Sequence, residues 1–228
     1  MNTTLTSLIA ATLLLSPYAA SAQQAAPEGR LAQLYAARPP AGSAFVRVLN
    51  PGSSVLKAGI ANGADQSIGP AARATRYAIV EGGKPFAVRV AGKARTQPAV
   101  AAGSFSTLVL DAAAPARPVA VLQDGGGTSD ALKAEIRFYN LAGSCAQGSL
   151  AMADKGAVVF PAVAAGASAA RGINPVKARL VAACGGRSSN AVELPALQPG
   201  DHYSLFLTGS ASAPVLQGQL SGTDPVGR

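Results

Sequence analysis

Few side chains in this chain can do chemistry, and their neighbours limit what each could do. The single histidine, His202, follows Asp201 in Pro199-Gly200-Asp201-His202-Tyr203, an order that invites comparison with the Asp-His part of a hydrolytic triad. Adjacent residues on a strand point to opposite faces, so Asp201 cannot orient His202, and no Gly-x-Ser-x-Gly elbow supplies a nucleophile. His202 therefore reads as a turn or edge residue. The 11 acidic residues are scattered, mostly at turns, without a pair placed for glycoside hydrolysis. Gly82-Gly83-Lys84-Pro85 lacks the spacing of a phosphate loop and reads as a hairpin turn. Two cysteines and one histidine are too few for a zinc site. No catalytic, metal-binding or cofactor-binding residue is assigned, and no cofactor is expected.

The basic residues are better placed. Arg47, Arg89, Arg137 and Arg179 each stand between two apolar neighbours, and Lys177 shares the face of Arg179. If the neighbours face a core, strand alternation sends these cations to outer sheet faces, where guanidinium groups can grip carboxylates of a partner protein or a uronate polymer. A formal net charge of +8 suits such acidic partners. An aromatic content of 5% without tryptophan argues against base-stacking platforms, and the export expected from residues 1–22 removes nucleic acid as a partner.

The elements that must position these residues come from a near repetition. Phe45-Val46-Arg47-Val48-Leu49-Asn50 is echoed by Glu135-Ile136-Arg137-Phe138-Tyr139-Asn140, residues 86–90 by 175–180, and residues 105–110 by 203–208. Frequent glycine (25) and proline (16) suit short strands and tight turns, and breakers bracket the richest alanine run, leaving little room for a helix. Strands are expected at 45–49, 55–60, 77–80, 86–90, 105–110 and 118–123, then at 134–140, 147–152, 157–160, 176–181, 191–194, 203–208 and 214–220. The expected fold is all-β: two small antiparallel β-sandwich domains related by internal duplication, residues 41–123 and 131–221, joined by a Gly-rich flexible linker over 124–130. Residues 222–228 read as a loose tail. Residues 1–22 lack charged side chains, hold an apolar run too short to span a bilayer and end in Ala20-Ser21-Ala22, the pattern of a cleaved secretory signal. Residues 23–40 form a lead-in with Leu31, Leu34 and Tyr35 at helical spacing. In an exported chain an even cysteine count points to a disulfide between Cys145 and Cys184.

Leu34-Tyr35, the run from Pro39-Pro40 through Phe45-Val46-Arg47-Val48, and Gly172-Ile173-Asn174-Pro175-Val176-Lys177 resemble the alginate O-acetylation accessory protein AlgF family over nearly the whole mature chain. The resemblance implies a periplasmic, non-catalytic adaptor that works beside periplasmic or membrane-bound O-acetyltransferase components on an exported polysaccharide, alginate or cellulose. The other reading is a secreted carbohydrate-binding module, which the absence of tryptophan platforms weakens. An esterase comes third.

Overall fold

The computed structural model describes residues 39–111, 118–125, 130, 132–154 and 156–225. The segment read as a signal, nearly all of the expected lead-in and the middle of the expected linker lie outside the described residues. In the first half β1 (Ser43–Leu49), β2 (Leu56–Ile60), β3 (Gln66–Ile68) and β4 (Ala78–Glu81) precede β5 (Val88–Val90), β6 (Lys93–Thr96), β7 (Phe105–Leu110) and β8 (Pro118–Gln123). In the second half β9 (Ala134–Asn140), β10 (Gln147–Met152), β11 (Val158–Ala164) and β12 (Ala167–Ile173) precede β13 (Arg179–Cys184), β14 (Arg187–Glu193), β15 (His202–Gly209) and β16 (Pro214–Leu220). Among the described residues every regular element is a strand.

Topology bears out the duplication. One sheet of the first half has the order β4-β1-β7-β8 and its counterpart the order β12-β9-β15-β16; the others are β3-β2-β5-β6 and β11-β10-β13-β14. The three repeated segments fall on β1 and β9, on β5 and the approach to β13, and on β7 and β15, where the match of 105–110 with 203–208 is corrected by one residue to 202–207, since Phe45 pairs with Phe105 and Glu135 with His202. The expectation of antiparallel pairing needs one refinement in each half, because β1 with β7 and β9 with β15 run parallel. Parallel neighbours need a long crossover, and here the intervening chain builds the second sheet of the sandwich.

Val46 and Val48 of β1 join Val88, Val90 and Leu108 in the core of the first half. Ile136 and Phe138 of β9 occupy the matching places in the second, with Leu150, Leu180 and Leu205. A buried asparagine ends the first strand of each copy. Asn50 Nδ2 donates to the carbonyls of Ser54 (2.7 Å) and Ile68 (3.3 Å), and Asn140 Nδ2 to those of Cys145 (3.0 Å) and Val163 (2.9 Å). These bonds satisfy carbonyls that irregular backbone would otherwise bury unpaired.

Apart from Phe105 and His202 at the starts of β7 and β15, the alternate positions of the central strands are covered rather than facing solvent. Leu49, Ala74 and Val109 of the first half pack on Tyr139 and Phe206 of the second, forming a third apolar cluster. The outer faces of two sheets are thus pressed together, giving four layers and a seam between the copies. Gln219 of β16 pairs with both the N–H (3.0 Å) and the carbonyl (2.7 Å) of Ala74 across this seam. The loose tail is corrected at its start. Tyr77 donates its N–H to Gly222 (2.8 Å) and accepts from Asp224 (2.8 Å), whose carboxylate also meets Arg76 at 3.2 Å.

Candidate functional site

The seam holds a polar network built around Arg47, only 1% exposed. Its Nε donates to Thr107 Oγ1 (2.8 Å), and its terminal nitrogens donate to Tyr139 Oη (2.6 Å), Ser204 Oγ (3.0 Å) and Ser221 Oγ (3.0 Å). The guanidinium also lies over the Tyr77 ring, 4.6 Å from its centroid. Asp124 supplies the balancing charge through hydroxyls. Tyr139 Oη donates to its Oδ1 (2.6 Å), and Tyr77 Oη (2.7 Å) and Thr107 Oγ1 both donate to its Oδ2. Burial opposes the Arg47 charge, but Tyr139, Tyr77 and Asp124 around it outweigh that and raise its pKa. Burial likewise drives the Tyr139 phenol up to about 12, so it stays a donor to Asp124.

Beside this network a cavity of about 140 Å³ opens between the copies. Its lining includes Phe105 from one copy and Glu135 and His202 from the other, residues of the same rung of the duplicated sheet. In the first copy Phe45 pairs with Phe105, and the rings stack with centroids 4.3 Å apart. In the second, Glu135 pairs with His202, with Oε1 3.6 Å from Nδ1. Arg137 donates to Glu135 Oε1 at 3.0 Å and to the carbonyl of Gly125 at 3.2 Å. Phe105, 40% exposed, thus lines the same opening as the charged Glu135, Arg137 and His202 side chains. Tyr203 completes the lining by lying across β16 where Gly218 leaves room: a Cβ there would collide with the phenol.

The five cations singled out from sequence divide sharply. The outward placement of Arg47 and Arg137 is corrected. Both do point away from their own cores, but Arg47 is covered by Tyr139, Ser204 and Ser221 of the second copy and Arg137 is held by Glu135 and the Gly125 carbonyl, leaving them 1% and 6% exposed. Arg89 is half-buried and bonds the Ala61 and Gly63 carbonyls and, at 3.0 Å, Asp65, clamping the β2–β3 turn. Lys177 and Arg179 are exposed and share an open groove with Asp154 and Glu193. Arg179 meets Asp154 at 3.2 Å. Cys145 and Cys184 are joined in a disulfide. Asp201 accepts the Gln198 N–H in the turn before β15, so it does not serve His202; Glu135 does. Sequence reasoning missed Glu135 and Asp124. The clue to Glu135 was a carboxylate at the position where the other copy has Phe45. Among the described residues no cluster of three metal-ligating side chains occurs, and no helix is long and apolar enough to cross a membrane.

Burial would raise the Glu135 pKa, but the neighbouring His202 and Arg137 outweigh it and hold the carboxyl below its ordinary value. A depressed folded pKa contributes stability above the unfolded value of about 4.3 that is lost as pH falls through the folded one. Glu135→Gln should accordingly flatten the decline of stability below about pH 5. Urea unfolding at a series of pH values checks this, and an acid dependence identical to that of the parent would refute it.

Among known proteins, the family described as "Alginate O-acetyl transferase AlgF" matches residues 10–204. The protein named alginate biosynthesis protein AlgF of Pseudomonas putida is 31% identical over 211 residues, covering 92% of this chain and 94% of its own. The solved C-terminal domain of AlgF from P. aeruginosa is 29% identical, covers 39% of this chain and 98% of that one, and superposes with a TM-score of 0.35.

Proposed function

The chain belongs to the AlgF family, and from that premise we propose that it is a non-catalytic accessory protein for O-acetylation of alginate, exported to the periplasm, where it docks the acetyltransferase components. One observation carries this reading. Acyl transfer at the seam would need a hydroxyl handed to the imidazole of His202. The two serine hydroxyls that line the cavity with His202, Ser204 and Ser221, accept from Arg47 and bond each other at 2.9 Å, and neither bonds the imidazole. The matched family carries the words O-acetyl transferase; an accessory role in that transfer accounts for the words without asking His202 for work its setting does not support. The names of the family and of the Pseudomonas putida relative also favour alginate over cellulose as the polymer. Two sandwiches held by a shared core suit an adaptor, because they present their outer surfaces at a fixed separation.

Deleting the gene should lower the acetyl content of the exported polymer while synthesis continues. Charge reversal at Lys177 with Arg179, both exposed, should weaken capture of the acetyltransferase components in a salt-sensitive way, since exposed charge contacts are screened beyond roughly 8 Å at physiological ionic strength. The buried Arg47 and Arg137 are unsuited to this test. Unchanged acetylation on deletion would defeat the accessory role; unchanged capture would move the docking surface elsewhere.

A further inference from the structure

We propose that the free edge of β12 takes up an extended segment of a partner protein as an added strand, one with apolar residues at alternate positions and a carboxylate to meet Arg171. The first copy already shows such an addition within the chain. Its register places Tyr77, just before β4, opposite Arg47. There the segment after β16 pairs with the outer edge: the Tyr77 N–H donates to the Gly222 carbonyl and the Asp224 N–H to the Tyr77 carbonyl, both at 2.8 Å, in a parallel bridge with Thr223. The counterpart of Tyr77 in the second copy is Ala170, which lies opposite Arg137. β12 ends its sheet, and among the described residues no segment pairs with it on that side.

The ladder identifies the backbone groups left over. Glu135 and Leu141 donate their N–H groups to Asp201 and Leu207 at 2.8 Å, so odd positions of this strand serve β15 and even ones serve β12. The even positions meet Ala167, Ala169, Arg171 and Ile173. The N–H and carbonyl groups of Ser168, Ala170 and Gly172 therefore point off the sheet, a template for another strand. Edges are ordinarily blunted by bulges, prolines or several charges, whereas β12 runs seven residues in unbroken register with Arg171 as its one charge. Beside it a groove of about 490 Å³ opens, lined from both sheets of the second copy by the core residues Ile136 and Leu180 and by the exposed Val158 and Val176. Alternate side chains of an added strand fall on this groove. Arg171 also lines it, exposed and meeting among the described residues only the Val159 carbonyl at 3.4 Å, so its charge complements a carboxylate on the incoming strand. The class of partner rests on the adaptor reading above; the open edge does not.

The probe is a synthetic peptide of about ten residues, alternating valine with threonine around one aspartate, and the control is the same peptide N-methylated throughout, which keeps the side chains and removes every backbone donor. In the intact protein, amide exchange followed by NMR should find Ser168, Ala170 and Gly172 exchanging faster than Ala169 and Arg171, then slowed more than about tenfold when the peptide is added. The methylated peptide should change nothing. By calorimetry Ala170→Pro, which removes an outward N–H and leaves the β9 ladder whole, should weaken binding about tenfold. Arg171→Glu should weaken it about fivefold and in a salt-sensitive way. The parent measurements stand even if a variant fails to fold. The site is overturned if the three amides ignore the peptide, if the methylated peptide protects them equally, or if they are already protected in the free chain. Protection that grows with protein concentration alone would assign the edge to a second copy and overturn the partner. Those outcomes leave the adaptor reading standing whenever deletion still lowers acetylation. Peptide binding accompanied by unaltered acetylation on deletion would instead keep the edge and remove the adaptor.

Discussion

Asp124→Asn should destabilise the whole described body by about 3–5 kcal/mol, because it leaves the buried Arg47 charge without its balancing carboxylate. Three hydroxyl donors, from Tyr77, Tyr139 and Thr107, lose an acceptor suited to all of them. For a body of this size the melting temperature should fall by about 10 °C. Arg47 belongs to the first copy, Tyr139 to the second and Asp124 to the segment between them, so both halves should melt together. Removing the charge as well, in Arg47→Met with Asp124→Asn, should recover part of the loss, since replacing both members of a buried charged set costs less than orphaning one. Differential scanning calorimetry of the parent, the two single variants and the double variant closes the cycle. A single variant that melts with the parent, or a double variant whose loss equals the sum of the singles, would show that the network does not couple these groups.

Replacing Cys145 and Cys184 with alanine should cost about 4 kcal/mol on the loop-entropy account, given their sequence separation of 39. The bridge ties the turn after β9 to the end of β13, with both cysteines buried in the second core (1% and 3% exposed). The turn also depends on Asn140, which bonds the Cys145 carbonyl. Urea unfolding should show a lower midpoint for the double alanine variant, and mass analysis after alkylation without reductant should find no modified thiol in the parent. A midpoint unchanged by the substitutions would count against the bridge as a stabilising element.

The residues by themselves determined the all-β class, the duplication and the faces of the central strands. Val46 and Val48 alternate with Arg47 and Leu49, and a strand has only two sides, so period alone sorted them. The cysteine pairing followed from an even count in one copy. Strands without alternation were missed. β12, Ala-Ser-Ala-Ala-Arg-Gly-Ile, owes its conformation to pairing along all of β9, and β3 and β6 are short edges held by their neighbours. What lay beyond each outward face was decided only by tertiary structure. Alternation says that Arg47 leaves its own core, but burial depends on what the other half of the chain lays against that face, and here it is Tyr139 and Phe206. The candidate site has the same origin. Glu135, His202 and Phe105 are unremarkable in isolation, and they become a cavity because two diverged copies of one rung meet across a seam that no local pattern encodes.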